Sequence, residues 1–299
     1  MKTKGFIILA AAMMAMASCE QASLPAGDTT NGDGTEATAE KTKKFTFTCK
    51  GDFAVDMQGI GASTRGYLQA DGKDLTHLWV FDYMGDDLQQ QLVQSDNTAD
   101  DFGKPSMQLK LGTHHIYFIA SRGTEPTLGD GVITWTKPLD TFWTDYEVNV
   151  TSTSNGNRAV TLARAITKMC VTISDALPAT SAQFAITPAT WYTGINIRTG
   201  LPTAAVTAQT FYINIPSNKA GTSGAQVTLC SLSPADDWTT DISIAVQDAN
   251  AATLGTATVT AVPFKKNRCT NLTGKLFSQS TTATVSLSTD WLTATDVIF

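Results

Sequence analysis

Few side chains in this 299-residue sequence suit acid–base, metal or nucleophilic chemistry. It has three histidines, two of them adjacent at His114 and His115. On a strand, adjacent side chains leave opposite faces, so this pair cannot close on one metal ion without ligands from elsewhere. His77 stands apart from both. The acidic doublets Asp86-Asp87, Asp100-Asp101 and Asp236-Asp237 fall in turn-rich stretches, where carboxylates cap turns or meet solvent. No GxSxG, HExxH, phosphate-loop or CxxC spacing occurs. The expectation is therefore no catalytic set, no metal and no cofactor. Ring faces are more plentiful: Trp135, Trp143, Trp191, Tyr192, Trp238 and Trp291 have the shape to stack on sugars, although tryptophans in β-proteins more often fill cores. The pair expected to stay exposed, and hence the candidate glycan contact, is Trp191-Tyr192 beside Gly194.

Cys19 is the remaining candidate for covalent chemistry. Ahead of it stand Lys2 and Lys4, then an apolar stretch from Phe6 to Ala17. That stretch is shorter than the roughly 17–25 residues of a permanent span and suits the apolar region of an export signal. The tetrapeptide Met16-Ala17-Ser18-Cys19 resembles a bacterial lipobox, in which the cysteine is lipidated after cleavage. Residues 1–18 then form a lipoprotein signal peptide. Residues 19–42, rich in Gly, Thr and Ala and almost without apolar groups, read as a flexible tether. The other cysteines are Cys49, Cys170, Cys230 and Cys269. They allow three disulfide pairings, but Cys49 and Cys170 lie within apolar strands, where a free thiol acts as a small hydrophobe.

The elements carrying these residues are expected to be strands. Charged residues make up 16% of the chain, against about a quarter usually, and apolar residues 42%. Threonine, roughly one residue in six, favours pleated surfaces. The net charge of −6 and the sequence pI near 5.0 argue against a nucleic-acid binder. In the first segment Phe45, Phe47, Cys49, Phe53, Val55 and Met57 alternate with mostly polar neighbours, the period of a strand with one buried face. A Gly-rich break follows. Next, Leu78 to Tyr83 is apolar at nearly every position, as in a strand buried on both faces. Residues 151–158 (TSTSNGNR) form a polar break, and VTLARAITKMCVTI from Val160 to Ile173 reads as the opening strand of a second half. These signals predict an all-β protein with two β-sandwich domains, at 43–157 and 158–299.

Several segments, in order, resemble the fimbrillins, lipoprotein-derived subunits of the type V pili of Bacteroidetes. They are the lipobox and tether, the strand FTFTCKGDFAVDM, Thr64-Arg65-Gly66 in the Gly-rich loop, LTHLWVFDY, RAITKMCVTI, KKNRCTNLTGKLF and the terminal TTATVSLSTDWL. The resemblance covers nearly all of the mature chain. It implies two tandem transthyretin-like sandwiches and an outer-membrane lipoprotein precursor displayed at the cell surface. It also implies a cut between Arg65 and Gly66, release of the first strand (Lys44 to Met57), and filling of the vacated groove by the C-terminal strand of another subunit. The donor row would be Ala283, Val285, Leu287 and Trp291. Implied partners are other fimbrial subunits, in a homo- or hetero-polymer, the membrane through Cys19, and a host or bacterial surface ligand.

Two features of the residues themselves fit this reading. Arg65 is the first arginine of the chain and is flanked by Gly59, Gly61 and Gly66, a composition suited to proteolysis. An apolar row as long as the first strand's would leave a costly edge if removed. Release of that strand also requires Cys49 to be free of disulfides. The competing expectations are a glycan-binding surface lipoprotein and an anchor or tip subunit that escapes cleavage.

Overall fold

A computed structural model of the protein describes residues 41–51, 75–203, 205–278 and 284–287. As the composition predicts, the described residues form an all-β fold of sandwiches. In chain order the strands are β1 (Thr42–Gly51), β2 (His77–Met84), β3 (Asp87–Gln94), β4 (Ser106–Lys110), β5 (Gly112–Ser121), β6 (Thr124–Gly129), β7 (Val132–Lys137), β8 (Thr141–Val150) and β9 (Asn157–Arg164). A second series follows: β10 (Ile166–Ile173), β11 (Ser181–Pro188), β12 (Thr190–Tyr192), β13 (Gly194–Asn196), β14 (Ala205–Thr207) and β15 (Phe211–Asn214). It continues with β16 (Ala225–Leu232), β17 (Asp237–Asp248), β18 (Thr253–Lys265), β19 (Cys269–Gly274) and β20 (Thr284–Leu287).

In the first series β1 lies between β4, antiparallel, and β9, parallel. Facing this layer are β3, β2, β5 and β8, each antiparallel to the next. The last residues of β9, Ala163 and Arg164, cross to pair with β8 and join the layers. Side chains from both layers, including Phe45, Phe47, Val80, Met107, Phe118, Phe142 and Leu162, fill the space between them.

The second series repeats this plan strand for strand. β10 lies between antiparallel β16 and parallel β19, as β1 lies between β4 and β9. The opposite layer runs β15, β11, β17, β18, matching β3, β2, β5, β8. Its core includes Val171, Phe184, Leu229, Ile244 and Leu272. Each series also carries an insertion, the β6–β7 hairpin in the first and β12–β14 in the second, and β13 pairs with β7 to form one three-stranded sheet. One strand, β20, which pairs antiparallel with β19, has no counterpart in the first series among the described residues.

A third apolar cluster lies where the insertions meet and joins Trp79, Phe81, Ile119, Ile133 and Trp135 to Ile166, Ile195 and Leu232. It explains the unbroken apolar run of β2: Leu78 and Val80 point into the first core, and Trp79 and Phe81 into this junction. The apolar run from Val160 to Ile173 is two strands interrupted at Ala165, not one. Because β9 pairs with β1, the strand pairing moves the division between the halves from the expected 157/158 to Ala165. Near Ala165 the chain is held by Arg164, whose Nε and Nη2 donate to Asp140 at 2.7 and 3.0 Å while Nη1 donates to Asn267 Oδ1 at 3.0 Å.

Candidate functional site

The structure gathers one group of the expected residues into a defined place, the seat of β1. Phe45, Phe47 and Cys49 are fully buried, while Thr46 and Thr48 turn to the opposite face, the alternation that the sequence predicts. Phe47 meets Phe118 edge-on at 5.2 Å and Tyr146 at 5.9 Å, and stacks with Phe45 at 6.1 Å. The backbone is held on both sides beyond its ladders. Thr46 N–H donates to Gly156 O at 2.6 Å, Phe47 N–H to Pro105 O at 3.0 Å and Cys49 N–H to Gly103 O at 2.9 Å. Arg158 on β9 places its guanidinium over the Phe45 ring at 5.1 Å.

Gly156 is a residue whose role the sequence reading missed. A Cβ there would lie 2.0 Å from the Lys44 carbonyl oxygen, so only glycine lets the 151–156 loop approach the start of β1 this closely. In sequence it is one small residue within the polar break TSTSNGNR.

Cys49, Cys230 and Cys269 are buried free thiols. Burial raises the Cys49 pKa far above the ordinary thiol value. Burial likewise pushes Cys230 up to about 12 and Cys269 up to about 11. Thiols so desolvated are poor nucleophiles and fill space. Cys49 thus meets the requirement that no disulfide tie the first strand down.

At the other end of the chain β19 stops at Gly274. The reason is Asp175: its carboxylate accepts N–H bonds from Leu276, Phe277 and Ser278 at 3.1, 2.7 and 2.9 Å, donors that a strand would commit to a neighbour. Partial burial alone would raise the Asp175 pKa, but the backbone donors outweigh it and hold the carboxyl below its usual value. Phe277 packs against Gly255, where a Cβ would come within 2.6 Å of the ring. The chain is therefore clasped just before the segment that leads to β20. In that strand Val285 pairs with Leu272 and Leu287 with Thr270.

Trp191 corrects an expectation. It is fully buried in the second core, its Nε1–H donating to Cys230 O at 2.9 Å, and its ring meets Phe264 at 5.5 Å. A ring enclosed in this way offers no face to a sugar. The half-buried Tyr192 leans edge-on against Trp238 at 5.7 Å. The indole is held inside because β12 packs against β16, where Ser231 Oγ accepts from Tyr192 N–H at 3.0 Å beside the Cys230 carbonyl that takes the indole N–H, a tertiary placement that Gly194 nearby does not reveal. The histidines part as expected. His114 is buried with Nδ1 2.6 Å from Asp82, whereas His115 is on the outer face, 3.0 Å from Asp145. Among the described residues no group of three or more His, Cys, Asp or Glu is arranged to hold a metal ion. Cys19, Phe53, Val55, Met57, Arg65, Gly66, Ala283 and Trp291 lie outside the described residues.

The model of a family of unknown function, DUF6562, matches residues 133–296. No curated protein matches the sequence. Among solved structures, a proposed adhesin of Bacteroides ovatus superposes with a TM-score of 0.51 at 8% identity, over 74% of this chain and 83% of its own. The fimbrial anchor protein Mfa2 of Porphyromonas gingivalis gives 0.45 at 9% identity, over 78% and 90%. A proposed polysaccharide-binding protein of Bacteroides thetaiotaomicron gives 0.48 at 9% identity, over 82% and 95%. At such identities the first likeness is one of fold.

Proposed function

From a chain that belongs to DUF6562, a family of unknown function, we propose a structural role: an exported surface lipoprotein that serves as a fimbrillin-like pilus subunit and has no catalytic activity. Cys19 carries the lipid that holds the precursor at the outer membrane. Cleavage between Arg65 and Gly66 separates β1 from the rest of the chain. The slot that β1 leaves is filled by the C-terminal strand of another subunit, with the row Ala283, Val285, Leu287 and Trp291. Other subunits are thus the main partners. The fold shared with an adhesin-type protein of Bacteroides ovatus fits a role at the cell surface.

One observation carries this reading, the placement of β1. It is the first of the described strands yet lies inside its layer, between β4 and β9, and sends three fully buried side chains into the first core. The second-series counterpart, β10, is internal too, but its link to β11, residues 174–180, holds no Lys or Arg. The corresponding link after β1 contains the first arginine. A trypsin-like protease can therefore free the first inner strand and not the second. Losing two phenylalanines and a cysteine from the core exposes apolar surface worth on the order of 5 kcal/mol, and a slot with unpaired backbone on both sides recruits a strand.

The test is limited digestion of the purified precursor by an arginine-specific protease, followed by electrophoresis without boiling. A single cut after Arg65 and a ladder of stable multimers is the expected result, with the Arg65→Gln chain remaining monomeric. Degradation throughout, or a clean cut after which the protein stays monomeric, refutes the polymerisation reading.

A further inference from the structure

Among the described residues, the internal repeat shows a seat that only one of the two units fills. In the second unit, the last strand, β19, has β10 on one side and β20 on the other. In the first unit the equivalent strand, β9, has β1 on one side along Asn157–Leu162. Its remaining ladder, to β8, involves only Ala163 and Arg164. Among the described residues no strand pairs with the other side of Asn157–Leu162. An unpaired edge of six residues beside a filled core is a template for strand addition.

We infer that this edge of β9 is a docking site for the C-terminal segment of a second copy of the chain, added antiparallel as β20 is added to β19. Within one molecule, the same segment already occupies the equivalent position of the same seven-strand plan, which identifies the occupant. The repeat also sets the register. The inward pairs Cys49–Val160 and Val171–Leu272 correspond, and Leu272 pairs with Val285. Val285 of the incoming segment then lies opposite Val160, and Leu287 opposite Arg158. Beyond Leu287 the segment runs past the start of β9, which carries Arg158 and lies beside the start of β1, which carries Lys43 and Lys44. Residues 288–299 contain Asp290 and Asp296 and no Lys or Arg, so the charges are complementary.

This docking goes beyond the proposed maturation because it needs no cut. It brings two copies together one strand away from the β1 slot, so the incoming segment lies on the far side of β9 from the strand that proteolysis would remove.

The experiment uses the full Arg65→Gln chain, in which β1 stays attached, and a synthetic peptide of residues 281–299 as the probe. Hydrogen–deuterium exchange with mass spectrometry reads where the peptide binds. The expected result is at least tenfold slower exchange at residues 157–162, with β1 and β19 unchanged. Arg158→Glu, checked for an unaltered circular dichroism spectrum, should weaken the peptide several-fold and flatten its salt dependence, and a scrambled peptide should not bind. Protection confined to 269–274 would mean that the peptide merely replaces β20. Faster exchange at 42–51 would mean that it displaces β1. Either result, or no binding, overturns the inference, and all three leave the cleavage reading to its own digestion test.

Discussion

Phe47→Ala is the most direct perturbation of the β1 seat. The ring is fully buried and sits at 5.2 Å from Phe118, 5.9 Å from Tyr146 and 6.1 Å from Phe45. Truncating a buried phenylalanine typically destabilises by about 3–5 kcal/mol. The upper half of that range is expected here. β1 is hydrogen-bonded on both sides and cannot sink into the vacated space, and about 0.5–1.5 kcal/mol is lost for each well-placed aromatic pair. Thr48→Ala on the opposite face of the same strand should change stability by no more than about 0.5 kcal/mol. Urea denaturation followed by tryptophan fluorescence measures both, with the slope checked for constancy. Cys49, two residues along, offers an independent readout. Its buried thiol reacts with an aromatic disulfide reagent only when β1 leaves its seat, so Phe47→Ala should accelerate labelling by a hundredfold or more. A destabilisation under about 1.5 kcal/mol, with Cys49 labelling unchanged, would refute the claim that β1 is a structural member of the first core.

Gly156→Ala should destabilise by about 1–3 kcal/mol, because its Cβ would lie 2.0 Å from a backbone oxygen that cannot rotate away. Faster amide exchange in residues 44–47, with β19 unaffected, is the accompanying signature. Asp175→Asn should weaken the clasp on Leu276–Ser278 by about 1 kcal/mol after allowance for solvent screening. Because the folded pKa of Asp175 is depressed, its contribution is present above the unfolded value and lost as pH falls through the folded one. The wild-type chain should therefore lose protection of these three amides in acid below the ordinary carboxylate range, while the asparagine variant shows no such acid limb.

Alternation was the most legible signal. Phe45, Phe47 and Cys49 face one way because strand side chains alternate whatever the tertiary context, and the observed burial follows. The apolar run of β2 was equally readable, since a strand with Leu, Trp, Val and Phe in succession must be covered on both faces. The burial of Trp191 is not legible in the sequence, because exposure near a turn depends on what packs over it, here the second core. Val160–Ile173 looked continuous because Ala165 is as apolar as its neighbours; the break comes from the chain changing units, which no local propensity marks. Asp175 and Gly156 were invisible because their partners lie about a hundred residues away in sequence.

The all-β character, the inward row of the first strand and the scarcity of chemistry-bearing groups are legible in the residues alone. These follow from composition and from a periodicity of two, which are properties of the chain a few residues at a time. That two series of strands with no visible sequence repeat share one seven-strand plan, that β1 is an inner strand, and that among the described residues β20 has no counterpart in the first series emerge only from the fold. Strand neighbours are set by which edges and apolar faces meet across long separations, and many different sequences satisfy the same meeting.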